Sequence, residues 1–163
     1  MLVVERRIDP QPHADAELVL TFEARRKTRQ RSRLPDGEEV ALFLERGTIL
    51  RGGDCLLSED GRVLRIVAAQ EALMEVRTGD AELLARAAYH LGNRHGPIEI
   101  HPGAIRFPAD HVLAGMLLTL GLDATPVSAS FEPEAGAYAA GHHHHSSEAK
   151  HAGIIHDFGR RAP

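Results

Sequence analysis

The segment DAELLARAAYHLG, running from Asp80 to Gly92, decides how the second half of the chain folds. Leu83, Leu84, Ala87, Ala88 and Leu91 recur at the three- and four-residue spacing that gathers side chains on one helix face. Asp80 stands where an N-cap carboxylate accepts from the first free backbone N–H groups. Gly92 stands where a left-handed residue ends a helix. A helix is therefore predicted between them.

Outward from this helix, residues 72–77 (ALMEVR) read as a strand before it. After it come a short strand at 98–100, a Pro102-Gly103 turn and a strand at 104–107. A second helix follows Asp110, with Val112, Leu113, Met116, Leu117 and Leu120 on one face and Gly121 at its end. A last strand spans 125–131. The order is βαββαβ, the ferredoxin-like split βαβ arrangement.

Residues 1–70 carry a different pattern. Apolar runs LVLTF (18–22), VALFL (40–44) and VLRIVA (63–68) are separated by Pro35-Asp-Gly37, Arg51-Gly-Gly-Asp54 and Glu59-Asp-Gly61. Asp-Gly pairs tolerate the positive φ of tight hairpins. The expected fold class is α+β. An N-terminal all-β small barrel or sandwich at 1–70 is followed by the ferredoxin-like domain at 71–138 and a flexible histidine-containing tail at 139–163.

The 163 residues are 43% hydrophobic and 4% aromatic, with no Trp, so aliphatic side chains must fill the cores. No apolar run is long enough to span a membrane. Residues 1–7 lack the apolar stretch of a secretory signal. Cys55 is the single cysteine, so an intrachain disulfide is impossible and a reducing cytoplasm is the expected home. Cys55 sits in the apolar run CLL and reads as a buried small hydrophobe. A net charge of −4 argues against a general nucleic-acid binder. No nucleophile elbow, Walker A or dinucleotide fingerprint is present, so no enzyme activity is expected.

Histidine is the outlier, at 11 residues. His142, His143, His144 and His145 are consecutive, and His151 and His156 follow. Neutral imidazole binds borderline metals such as nickel, copper and zinc. An expression tag is the bland alternative, but only four of these histidines are contiguous and 18 residues, from Ser146 onward, follow them. A solvated linker is the other. His95 lies in a loop, where a lone histidine is more often structural or solvated than a ligand; a two-fold axis would turn one His95 into two. His111 opens the second helix beside Asp110. His90 and His101 read as surface residues, and His13 receives no role.

A basic stretch holds Arg25, Arg26, Lys27, Arg29, Arg31 and Arg33. From Lys27 the charges alternate, which on a strand forms a row on one face. RNA binding by a small barrel is one reading, weakened by the lack of interleaved aromatics. A solvated face, or a surface for an acidic protein partner, is the other.

Several segments, in chain order, resemble the urease accessory nickel chaperones of the UreE family. They are Arg46-Gly47 with Leu50-Arg-Gly-Gly-Asp54, Tyr89-His-Leu-Gly-Asn-Arg-His95, Asp110-His-Val-Leu113 with Met116-Leu117, and Phe131-Glu-Pro-Glu-Ala-Gly-Ala-Tyr138, followed by the histidine tail. The resemblance implies a β domain that contacts partner proteins and a metal-binding domain that forms a homodimer. It places the shared interfacial nickel ligand on His95, with tail histidines as added ligands. The implied task is delivery of Ni(II) to apo-urease together with the accessory GTPase. Cu(II) or Zn(II) could also bind in vitro, since imidazole affinity alone does not select nickel. Some relatives carry an H-x-H pair on the second domain; here the segment is Ala109-Asp110-His111, which leaves only His111. A metal-storage protein shares these ligands and is the alternative.

Overall fold

A computed structural model describes residues 1–135, folded around two sheets. The first is built from β1 (Leu2–Ile8), β2 (Ala16–Leu20), β3 (Arg29–Arg33), β4 (Glu39–Phe43), β5 (Cys55–Ser58) and β6 (Val63–Ala68). A one-turn helix, α1 (Phe22–Arg25), lies between β2 and β3. The strand order is β2-β6-β5-β1-β4-β3. β1 is central: it runs parallel to β4 and antiparallel to β5. Leu18 and Leu20 from one end of this order and Leu34 and Val40 from the other join one core with Val4, Leu56, Leu64 and Ile66. The sheet therefore curls into an open barrel, its β2 and β3 ends unpaired with each other. Gly37 (φ 93°) and Gly61 (φ 89°) supply the left-handed residues that the β3–β4 and β5–β6 turns need.

The apolar run 18–22 is not one strand. β2 stops at Leu20, and Thr21 caps α1 by accepting from the Ala24 N–H at 3.3 Å. This turn sends Phe22 out of the barrel core and against Phe131 and Leu73, with the two phenyl rings edge to face at 5.6 Å. It also sets the Phe22 N–H 2.7 Å from the Glu71 carboxylate.

The second sheet contains β7 (Gln70–Arg77), β8 (Glu99–His101), β9 (Ala104–Pro108) and β10 (Ala124–Ser130), in the order β10-β7-β9-β8. Helices α2 (Ala81–Gly92) and α3 (His111–Thr119) give the chain order βαββαβ. β9 inserts between β7 and β8, so the crossover through α2 is split, and all neighbours are antiparallel. Val76, Ile105 and Phe107 from the sheet pack on Ala87, Leu91 and Leu117 from the helices. Each such buried leucine is worth about 1.5–3 kcal/mol relative to exposure. The chain is thus two-domain α+β, and among the described residues no helix is long and apolar enough to cross a membrane.

Local chemistry sets the helix ends. Asp80 accepts from the Glu82 and Leu83 N–H groups at 2.9 and 3.1 Å. Asp110 does the same for Val112 and Leu113, at 2.7 and 3.1 Å. At the end of α3, Gly121 adopts φ 83°, its N–H bonds to Leu118 C=O, and the Leu122 N–H bonds to Leu117 C=O. This is a Schellman closure. The end of α2 departs from expectation. Gly92 remains helical, Asn93 caps the helix at φ −65°, and the left-handed residue is His95, at φ 56°.

Candidate metal centre

The loop after α2 presents His95. The Arg94 N–H bonds to Leu91 C=O and the His95 N–H to Gly92 C=O, at 3.1 and 2.9 Å, winding the chain tightly past the helix end. His95 then turns left-handed, and the residue is exposed. Left-handed backbone is unfavourable for most L-residues and recurs where function holds it in place. The loop continues through Gly96 and Pro97 to Ile98, whose C=O accepts the Glu134 N–H at 2.8 Å.

That last bond ties the His95 loop to the segment leading into the tail. The segment is clamped to the barrel as well. Arg25, fully buried, donates through Nη1 to Glu132 Oε1 at 2.6 Å and through Nη2 to the Phe131 C=O. The Gly52 N–H also donates to Glu132 Oε1, at 2.7 Å. Arg51 Nη1 reaches Glu132 Oε2 at 3.1 Å and the Pro133 C=O at 2.8 Å. Burial alone would raise the Glu132 pKa, but the Gly52 N–H and the Arg25 and Arg51 guanidinium groups overcome it and hold the carboxyl below its usual range. A Cβ on Gly52 would lie 3.1 Å from Glu132 Oε1, so the absent side chain is what lets the carboxylate in. Residues 131–134 thus run from the domain junction to the His95 loop as one fixed strap.

The other expected ligands fall elsewhere. His111 is exposed at the first position of α3, beside Asp110, whose carboxylate is engaged as the cap. His142, His143, His144, His145, His151 and His156 lie outside the described residues, as does the whole 139–163 tail. Among the described residues, no three His, Cys, Asp or Glu side chains converge on a common point. His95 is therefore not part of a three-ligand cluster within the described part of one chain.

His101 is less of a surface residue than expected. Its side chain is 37% exposed, and its Nε2 is covered, 3.4 Å from Glu99 Oε1, without a hydrogen bond among the described residues. Glu99 borders a charged layer on the sheet face away from the helices. There Glu75 takes Arg106 Nε at 2.7 Å and Arg77 Nε at 2.6 Å. The Arg106 hydrogen bond, helped by Arg77 and opposed by burial, holds the Glu75 carboxyl below its usual range. His90 sits edge to face with Tyr89 at 5.4 Å, and His13 is exposed. Cys55 is buried, as expected, and accepts the Gln11 N–H at 3.3 Å. A cavity of about 570 Å³ beside β1 is lined by Arg6, Arg7, Glu45, Thr48 and Arg51 among others, with no histidine or cysteine.

Comparison with known proteins fits both domains. Residues 4–69 match the family described as UreE urease accessory protein, N-terminal domain, and residues 71–158 match the corresponding C-terminal domain. The chain belongs to the UreE family. A urease accessory protein UreE from Pseudomonas fluorescens is 50% identical to this UreE-family chain, with 99% of each chain covered. That of Burkholderia ambifaria is 49% identical, covering 88% of this chain and 75% of its own. That of Cupriavidus necator is 55% identical over 78% of this chain and 67% of its own.

Proposed function

We propose that this UreE-family chain is a nickel metallochaperone that binds Ni(II) and delivers it to apo-urease during active-site assembly in the cytoplasm. It works as a homodimer with the accessory GTPase, and catalyses no reaction itself. Nickel is its cargo. His95 from each of two copies supplies an imidazole near the two-fold axis, and tail histidines complete the coordination.

The observation that carries this reading is the 2.8 Å bond from the Glu134 N–H to the Ile98 C=O. It ties Glu134, five residues before the tail begins at 139, to Ile98, which is three residues from His95 in sequence. From Ala135, the seven residues to His142 can reach at most about 25 Å when extended. A donor tethered by so short a segment, as His142 is, would act at a raised effective concentration toward a metal held by His95. Neutral imidazoles exchange more readily than a closed thiolate cage, which suits a carrier that must release its metal. His111, exposed at a helix start, is an auxiliary donor.

Delivery separates this reading from storage. In cells that carry urease but lack the family's chaperone, the intact chain restores urease activity at limiting nickel, and the His95→Asn variant does not. A chain that binds nickel yet leaves urease inactive under those conditions is a storage protein.

A further inference from the structure

The outer edge of β3 presents charged side chains and backbone groups that the metal chemistry does not use. The Leu44 N–H donates to Thr28 C=O at 2.7 Å, and the Leu34 N–H to Glu38 C=O at 2.8 Å. The register between them pairs Arg29 with Phe43, Arg31 with Ala41 and Arg33 with Glu39. Inward-bonded positions alternate along an antiparallel ladder. Thr28, Gln30, Ser32 and Leu34 therefore bond to β4, while Arg29, Arg31 and Arg33 turn their N–H and C=O groups away from the sheet. β3 ends the strand order, so among the described residues those groups face no further strand.

The same three residues expose their side chains, in a row along one face. Arg33 pairs with Glu39 at 3.0 Å; among the described residues, Arg29 and Arg31 form no ion pair. Phe43 lies directly across from Arg29 and is 47% exposed, an apolar anchor beside the charges. The opposite edge, β2, is unlike it: AELVL has one carboxylate and no basic residue.

The geometry points to β3 as a docking edge for an extended segment of a partner protein with an acidic residue at every second position. Such a segment adds a strand. Its main chain bonds to the outward groups of Arg29, Arg31 and Arg33. Residues directly opposite these arginines point to the same face, so alternate carboxylates meet them as cross-strand pairs. Charge complementarity selects this occupant over others: among the described residues two arginines have no counter-ion, and a lone phenyl group is a poor base-stacking platform in a chain of net charge −4. Charged edges also protect sheets from aggregation. Protection alone requires no affinity for any strand, and this separates the two roles.

The test uses the full chain and a short labelled peptide alternating glutamate with valine, followed by fluorescence anisotropy. A glutamine–valine peptide and a single-stranded RNA serve as competitors of other chemistry. The intact chain should prefer the glutamate peptide, more weakly as salt rises. Arg31→Glu should weaken binding by at least about fivefold, since it removes one cross-strand pair and adds a repulsion. Arg31→Pro should weaken binding further than Arg31→Thr, because it also deletes the outward N–H without breaking a bond to β4. Equal binding of the two peptides by the intact chain overturns the proposal without recourse to any variant. So does tighter binding of RNA, equal behaviour of the Pro and Thr variants, or an Arg31→Glu chain whose only change is lost self-association.

Discussion

Glu132 Oε1 lies 2.6 Å from Nη1 of Arg25, a residue 107 positions earlier in the chain and fully buried. This pair holds the 131–134 strap against the barrel. Removing one partner of a buried pair leaves the other charge stranded. Glu132→Gln should lower unfolding free energy by about 2–3 kcal/mol in urea titrations, somewhat below the range for fully buried pairs because Glu132 is partly exposed. Arg51→Ala should cost less, since Arg51 is itself partly exposed.

Acid should weaken the fold through the same groups. The carboxyls of Glu75 and Glu132 titrate below their usual range in the folded chain. A depressed folded pKa contributes stability above the unfolded pKa, and that stability is lost as pH falls through the folded value. The contribution is therefore complete near neutrality and is lost progressively as pH falls from the ordinary glutamate pKa of about 4.3 toward the lower folded value. Urea midpoints measured against pH should fall in that acid window, and Glu75→Gln should flatten the fall.

His95 needs a variant chosen for its backbone. At φ 56°, the Cβ of His95 already carries a left-handed cost of about 1 kcal/mol, and alanine in its place keeps that cost. Asparagine or glycine should cost less, since both adopt that region readily. Thermal unfolding of His95→Ala, His95→Asn and His95→Gly checks this ordering.

Gly52→Ala should loosen the strap. Its new Cβ would press on Glu132 Oε1 at 3.1 Å, and the carboxylate must move away from Arg25. A loss of about 1–2 kcal/mol is expected, as for small overpacking at a tight site. Gly115→Ala, where nothing among the described residues lies within 4 Å of the new Cβ, serves as the control and should not destabilise.

What the sequence made legible was local. Asp80, Asp110 and Gly121 act within one turn of their own position, and their roles can be read from spacing. The alternation around Arg29, Arg31 and Arg33 likewise placed that row on a strand. The central place of β1 could not be read, because it rests on pairing with β4 and β5 across many residues. Phe22 was misleading: its apolar character continued the run from Leu18, while the Thr21 cap ended it. Arg25 was hidden for another reason. An arginine is expected in solvent unless its partners are known, and these are the Leu50 and Phe131 carbonyls and the Glu132 carboxylate. Gly92 drew the left-handed position toward itself, and only the structure places it at His95. The single signal for His95 as a metal ligand was the Gly92-Asn-Arg-His95 segment, through its family resemblance.

The central claim is tested most directly by titrating Ni(II) into three proteins: the intact chain, His95→Asn and a chain ending at Ala140. The account predicts that His95→Asn loses the tightest binding event while keeping its fold. It predicts that the shortened chain keeps that event with reduced affinity. An unchanged tightest event in His95→Asn would contradict it.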